Sequence, residues 1–193
     1  MTEPDRQGRR TSVLALCGSL RAASINAALL RAGPRLAPAG ISVTLFPSLG
    51  GLPLFNPDLE PTPPVPVVQL RHAVAAADAL LIASPEYAHG VSGTLKNALD
   101  WLVSFEPFVG KPVAVINASP RAHHAQAALL ETLVTMSAHL VREGCITLPL
   151  LGSGLTEAGM VADREVAGAV RAMLECLAAA ARGARGAASF PLG

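Results

Sequence analysis

The sequence predicts a doubly wound α/β domain on a five-stranded parallel sheet in the order 2-1-3-4-5. Short apolar runs rich in β-branched residues alternate with longer Ala/Leu stretches at helical spacing, five times over. The strand-like runs are continuously apolar rather than alternating, as in a parallel sheet covered on both faces. A chain of 193 residues, 51% of them hydrophobic, can bury a substantial single core. One domain is expected over residues 11–182, with disordered tails at 1–10 and 183–193.

The first strand is Ser12 to Cys17, behind the leader Met1 to Arg10. "RRTSVLALCGS" imitates an export signal, but its apolar run is shorter than the roughly 7 to 15 residues of a signal core and ends in a turn. The first helix, Ser24 to Leu36, opens on a good N-cap residue, and the second strand is Ile41 to Phe46. Between Pro47 and Pro66 stand prolines at 47, 53, 57, 61, 63, 64 and 66, too many for a helix or an interior strand. That segment reads as a long ordered flap, either functional or a stiff surface spacer. There follow a helix Val65 to Ala77, a strand Ala79 to Ala83 and a helix Gly93 to Phe105. On the last, Lys96 and Asp100 pair at i,i+4, and Trp101 is expected as a core or subunit-interface residue rather than a ligand contact. A strand Pro112 to Asn117, a helix His123 to Glu143, a strand Cys145 to Pro149 and a helix Val161 to Arg182 complete the pattern.

Charge sets limits on function. Fifteen basic side chains against 14 acidic ones leave no excess to attract a polyanion, so nucleic acid is not an expected partner. No run approaches the roughly 18 apolar residues of a membrane span, and no membrane association is expected. Cys17, Cys145 and Cys176 are far apart and form no CxxC or metal-ligand pair, which suits a reducing cytoplasm. The neighbouring His123 and His124 would point to different faces of a helix, so no metal site is expected.

In an open α/β sheet the ligand sits beyond the carboxyl ends of the strands, where the strand order reverses. "GSLRAASIN", Gly18 to Asn26, occupies that place after the first strand. It has neither the GxxxxGK[ST] nor the GxGxxG spacing. Gly18 allows a tight exit, Ser19 and Ser24 offer hydroxyls, and the free N–H groups near Ile25 and Asn26 carry the positive end of the helix dipole. Arg21 adds a planar donor fork suited to phosphate oxygens. By itself the loop reads either as an anion seat or as a capped helix with a surface arginine. A second stretch, "SPEYAHGVSGTLKNALDWL" from Ser84 to Leu102, would lie beside it. Its Pro, Gly and polar residues suit backbone contacts to a flat polar ring, with Tyr87 free to pack on the ring face.

Together the two stretches resemble the NADPH-dependent FMN reductase family of flavodoxin-like flavoproteins, over about Ser12 to Glu175. The family's first signature is GSLR followed by Ser and Asn, and its second is PEY followed by Gly, LKNA and DW. "LPLFNPDLE", Leu52 to Glu60, resembles the family's flap. The resemblance implies noncovalently bound FMN, with the phosphate held by Ser19, Arg21, Ser24, Ile25 and Asn26. It implies that Pro85, Glu86, Tyr87 and Gly93 line the ring, and that Ser119 contributes from the loop after the fourth strand. NADPH or NADH would be the electron donor, a small molecule the acceptor, and a homodimer or homotetramer the assembly. Two departures stand out. Ala88 replaces the Asn usual after PEY, which implies one polar contact fewer, and "NASPRAHHAQ" replaces the family's glycine-rich third loop. His89 is either within reach of the ring or a solvated loop residue. Arg121 is either a donor to the 2′-phosphate of NADPH or an exposed helix-start arginine.

With FMN carrying the chemistry, no side chain need be an obligatory acid or base. The leading expectation is an NAD(P)H-dependent flavin, quinone or azo-type reductase. The alternative is a flavodoxin-like electron carrier, or an FMN-binding protein without turnover of its own. Neutral overall charge and Arg21 favour the reductase, because flavodoxins are commonly acidic and have Ser/Thr- and Gly-rich phosphate loops.

Overall fold

The computed structural model describes residues 9–187. Strands β1 (Thr11–Cys17), β2 (Ile41–Leu45), β3 (Ala79–Ala83) and the later β6 (Pro112–Asn117) pair in parallel in the order β2-β1-β3-β6. Between β3 and β6 comes a short hairpin, β4 (Glu86–Tyr87) and β5 (Gly90–Val91). At the far edge β6 carries two short parallel partners, β7 (His139–Leu140) and β8 (Ile146–Thr147). With the hairpin set aside, the expected order 2-1-3-4-5 is present, its fifth place shared by two fragments.

Continuous apolar strands form because both faces are covered. Along β1, Val13 and Ala15 face one core while Leu14 and Leu16 face the other. Leu81 and Leu80 on β3, and Ile116 and Val115 on β6, divide in the same way. The first core is closed by helices α1 (Ile25–Leu36), α5 (Glu157–Ala162) and α6 (Arg164–Ala187). The second is closed by α2 (Val65–Ala76), α3 (Gly93–Asp100) and α4 (His123–Thr135). Each fully buried Leu or Ile contributes about 1.5–3 kcal/mol.

The proline-rich segment is ordered by α3. Asn97 Nδ2 and Trp101 Nε1 donate to Pro53 O at 3.0 and 2.8 Å, and Phe55 N–H donates to Asn97 Oδ1 at 2.7 Å. Phe55 meets the Trp101 ring edge-on at 5.1 Å. Trp101 is therefore core, as one of its two expected roles had it, and it also serves as a clamp for the flap. Farther along, Arg71 joins Glu60 to the carbonyl of Trp101. At the amino ends of the strands Asp78 accepts from Ser12 N and Oγ at 2.8 and 2.9 Å and pairs with Arg185 and Arg9.

Several boundaries differ from those expected. The fourth helix stops at Thr135 rather than Glu143, because Ser137 takes a left-handed conformation, φ 60°, and Ala138 N–H bonds back to Leu133 O at 3.0 Å. That is a Schellman stop with Ser where Gly is usual. The expected strand Cys145 to Pro149 shrinks to Ile146–Thr147, preceded by a turn at Arg142–Gly144. The third helix ends at Asp100 rather than Phe105. The terminal helix is two helices, since Asp163 Oδ1 caps a new start through Glu165 and Val166 N–H. It also runs past Arg182 to Ala187, so part of the expected tail is helical. Arg9, assigned to the leader, pairs with Asp78; residues 1–8 and 188–193 lie outside the described residues.

Candidate active site

The first loop joins β1 to α1 beyond the carboxyl end of the sheet. Ser24 caps α1 by accepting from Ala27 N–H at 3.2 Å, so its hydroxyl is engaged by the helix. The N–H groups of Ile25 and Asn26 have no partner among the described residues, and neither does the guanidinium of Arg21. Asn26 is buried, and its Oδ1 has no partner either. A buried, unsatisfied amide beside a helix N-terminus needs a ligand group or water to complete it.

The second loop is the hairpin. Glu86 Oε2 accepts from Ala125 N–H at 2.8 Å, capping from outside a helix whose own N-cap residue, Ala122, has no side-chain oxygen to offer. That hydrogen bond, and secondarily the nearby His124, His89 and His123, hold the Glu86 carboxyl below its ordinary range against the opposing effect of burial. Tyr87 is 58% exposed. The two turn residues, Ala88 and His89, have φ of 49° and 59°. His89 stacks on His124 at 4.3 Å, and His123 lies 4.1 Å from His124. The two neighbouring imidazoles thus stay together instead of parting to different helix faces, and His89 reaches across from the hairpin to stack on the second.

Two serines tie the loops together. Ser92 Oγ donates to Gly18 O at 2.7 Å while accepting from Leu95 N–H at the start of α3. Ser84 Oγ lies 3.4 Å from it. The third loop is locked by Asn117, whose Oδ1 accepts from Ser119 N–H at 2.9 Å and whose Nδ2 donates to Gln126 Oε1 and Ala122 O.

The three loops enclose one cleft of about 380 Å³. Of the residues expected there, Ser19, Arg21, Ser24, Ile25, Asn26, Pro85, Glu86, Tyr87 and Ser119 all line it. Gly93 does not; it is the first residue of α3, and open space surrounds the position where its Cβ would stand. Sequence reasoning missed Ser84, Asn117 and Leu151 on the wall, and it missed Ser92, whose place before the helical "GTLKNA" was a readable N-cap signal. The donors of the first loop can hold a phosphate, and Tyr87 with the Pro85–Glu86 backbone can hold a flat ring. The orphaned Asn26 Oδ1 is an acceptor and suits a ligand hydroxyl, such as those on the chain that joins the phosphate of FMN to its ring.

Comparison with known proteins agrees with that geometry. The family model for NADPH-dependent FMN reductases matches residues 11–150. An NAD(P)H-dependent FMN reductase of Pseudomonas aeruginosa is 34% identical over 180 residues, covering 90% of this chain and 97% of its own. A quinone reductase of Escherichia coli is 38% identical over 114 residues, 57% of this chain and 61% of its own. A solved flavoenzyme NAD(P)H:(acceptor) oxidoreductase of Paracoccus denitrificans superposes with a TM-score of 0.75 at 28% identity, covering 90% of this chain and 98% of that one. The names of these relatives agree on one general activity, that of an NAD(P)H-dependent oxidoreductase. A match of that length, joined to a relative alike over nearly its whole length, places the chain in the NADPH-dependent FMN reductase family, as an oxidoreductase with FMN as cofactor and NAD(P)H as electron donor.

Proposed function

We propose that residues 11–182 form a single FMN-binding unit that passes the electrons of NAD(P)H to a quinone, free flavin or azo-type acceptor. In this reading Ser19, Arg21, Ser24, Ile25 and Asn26 hold the phosphate, and Pro85, Glu86, Tyr87 and Ser119 border the ring. The observation that carries it is the convergence of three loops on one cleft whose first-loop donors, the Arg21 guanidinium and the N–H groups of Ile25 and Asn26, have no partner among the described residues. FMN held there would supply the two-electron redox chemistry between donor and acceptor.

The protein's own work is positional. Ser92 and Gly18 fix the phosphate loop against the ring loop. Glu86 holds the hairpin to α4, so the Pro85–Tyr87 backbone keeps its place against a ring face. The open side of the cleft, beside the exposed Tyr87, leaves room for donor and acceptor to stack in turn. We further assign the protein to the cytoplasm, in keeping with three free cysteines, and to a homodimer or homotetramer, in keeping with exposed apolar residues such as Leu54 and Val65. Among the described residues no helix is long and apolar enough to cross a membrane.

The test is steady-state oxidation of NADPH by the purified protein, at one fixed concentration, against a benzoquinone, free FMN and an azo dye. Sustained turnover with at least one of them is expected. No oxidation of NADPH with any acceptor unless a separate reductase is added would instead point to an electron carrier.

A further inference from the structure

The cleft holds two arginines, Arg21 on the first loop and Arg121 on the third. Neither guanidinium has a hydrogen bond or ion pair among the described residues. Glu86, the carboxylate on the cleft wall, does not pair with them, because its Oε2 accepts from Ala125 N–H. FMN carries a single phosphate. If the first loop takes it, Arg121 is a surplus cation facing the same space, and a fixed, unpaired cation in a binding cleft favours a second anionic group.

We infer that Arg121 is a binding residue for the electron donor, pairing with a phosphate of the incoming dinucleotide. This rests on the reading that the FMN phosphate occupies the first loop. The root of Arg121 is well set for the task. Its N–H donates to Ser119 Oγ at 3.3 Å, Ser119 N–H donates to Asn117 Oδ1, and Asn117 Nδ2 holds Ala122 O on the other side. The backbone is therefore pinned on both sides while the side chain stays exposed to the cleft. A planar fork on a fixed root recognises phosphate oxygens at low entropic cost. Among the described residues that line the cleft Glu86 is the one carboxylate, and its Oε2 is engaged by Ala125 N–H.

The test compares Arg121→Ala, Arg121→Lys and Arg21→Ala with the parent protein. FMN affinity is measured by flavin-fluorescence titration, and NADP+ and NAD+ affinities by calorimetry on the FMN-loaded proteins. Arg121→Ala should leave FMN affinity within about twofold and weaken NADP+ by about tenfold or more, the factor expected for one hydrogen bond to a charged group. Arg121→Lys should recover part of that loss. A loss for NADP+ alone identifies the 2′-phosphate as the recognised group, and an equal loss for NAD+ identifies the pyrophosphate. Unchanged affinity for both dinucleotides would overturn the inference, as would an equal fall in FMN affinity, which would put Arg121 in the FMN seat. Failure of the underlying reading shows separately, as an Arg21→Ala protein that binds FMN as tightly as the parent.

Discussion

Replacing Ala88 with Asn should stabilise the protein. The hairpin pairs Glu86 with Val91 and Tyr87 with Gly90, leaving a two-residue loop whose members, Ala88 and His89, both have positive φ, 49° and 59°. Two-residue hairpin loops of this hand select Asn-Gly because an ordinary L-residue in the left-handed region costs roughly 1–2 kcal/mol, which Asn partly recovers through local hydrogen bonds. Ala88 is exposed, so the larger side chain displaces nothing. An expected gain of about 0.5–1 kcal/mol corresponds to about 1–4 °C in Tm for a domain of this size. Ala88→Gly should gain less, because glycine also loosens the unfolded chain. His89 is best left in place, since it stacks on His124. Thermal unfolding is measured with and without saturating FMN. Equal gains in both mean that only backbone strain was relieved, and a larger gain with FMN means that the new amide reaches the cofactor. A Tm without FMN that fails to rise for Ala88→Asn, with Ala88→Gly lowered, would refute the strain argument.

Arg21→Ala should weaken FMN binding by about 1.5–3 kcal/mol and leave riboflavin, which lacks the phosphate, nearly unaffected; equal losses would mean that Arg21 is structural. Trp101→Phe keeps a ring against Phe55 but deletes the indole donor to Pro53 O, so it should cost about 1 kcal/mol and speed proteolysis of the flap. An unchanged cleavage rate would contradict the clamp. For Asp78, burial is the largest single influence and raises its pKa, but the two hydrogen bonds from Ser12 together with Arg185 and Arg9 outweigh it, so the carboxyl sits below its ordinary value. Such a group contributes stability above its unfolded pKa of about 3.9 and loses it as pH falls through the lower folded one. The stability gap between parent and Asp78→Asn should therefore be level above about pH 5 and close in stronger acid; a gap that widens on acidification would contradict the assignment.

Strands buried on both faces were legible because burial leaves an unbroken apolar run. Ala79–Ala83 and Pro112–Asn117 have the bounds their sequence implies. The far edge was legible in part: Ile146–Thr147 lies inside the expected strand Cys145 to Pro149, whereas His139–Leu140 falls inside the expected helix, because an edge strand needs only a few ladder bonds and this one is two residues long. The stop after Thr135 left no mark, since its left-handed residue is Ser137 rather than a glycine. The break at Asp163 did leave one, an Asp followed at once by helix formers, but the apolar period runs through it and masked the cap. Within the site, the residues that could meet a ligand from the ends of β1 and β3 were readable from their loops. Those that hold one loop to another were not, because their partners are distant in sequence.

Gly18 shows the difference. Its place in "GSLR" suggests a tight exit from the strand. A Cβ at this position would instead lie 2.8 Å from both Ser84 Oγ and Ser92 Oγ and 3.1 Å from Leu95 Cβ. The glycine is required where the first loop passes the second, and the backbone closeness it permits is what lets Ser92 reach Gly18 O at 2.7 Å. The same Ser92 hydroxyl starts α3, and α3 in turn clamps the flap through Asn97 and Trp101. First loop, hairpin and flap are thus held by one helix through its N-cap and its inner face. A ligand seated across the first two loops meets a spacing set before it arrives, so little of its binding energy goes into ordering the site.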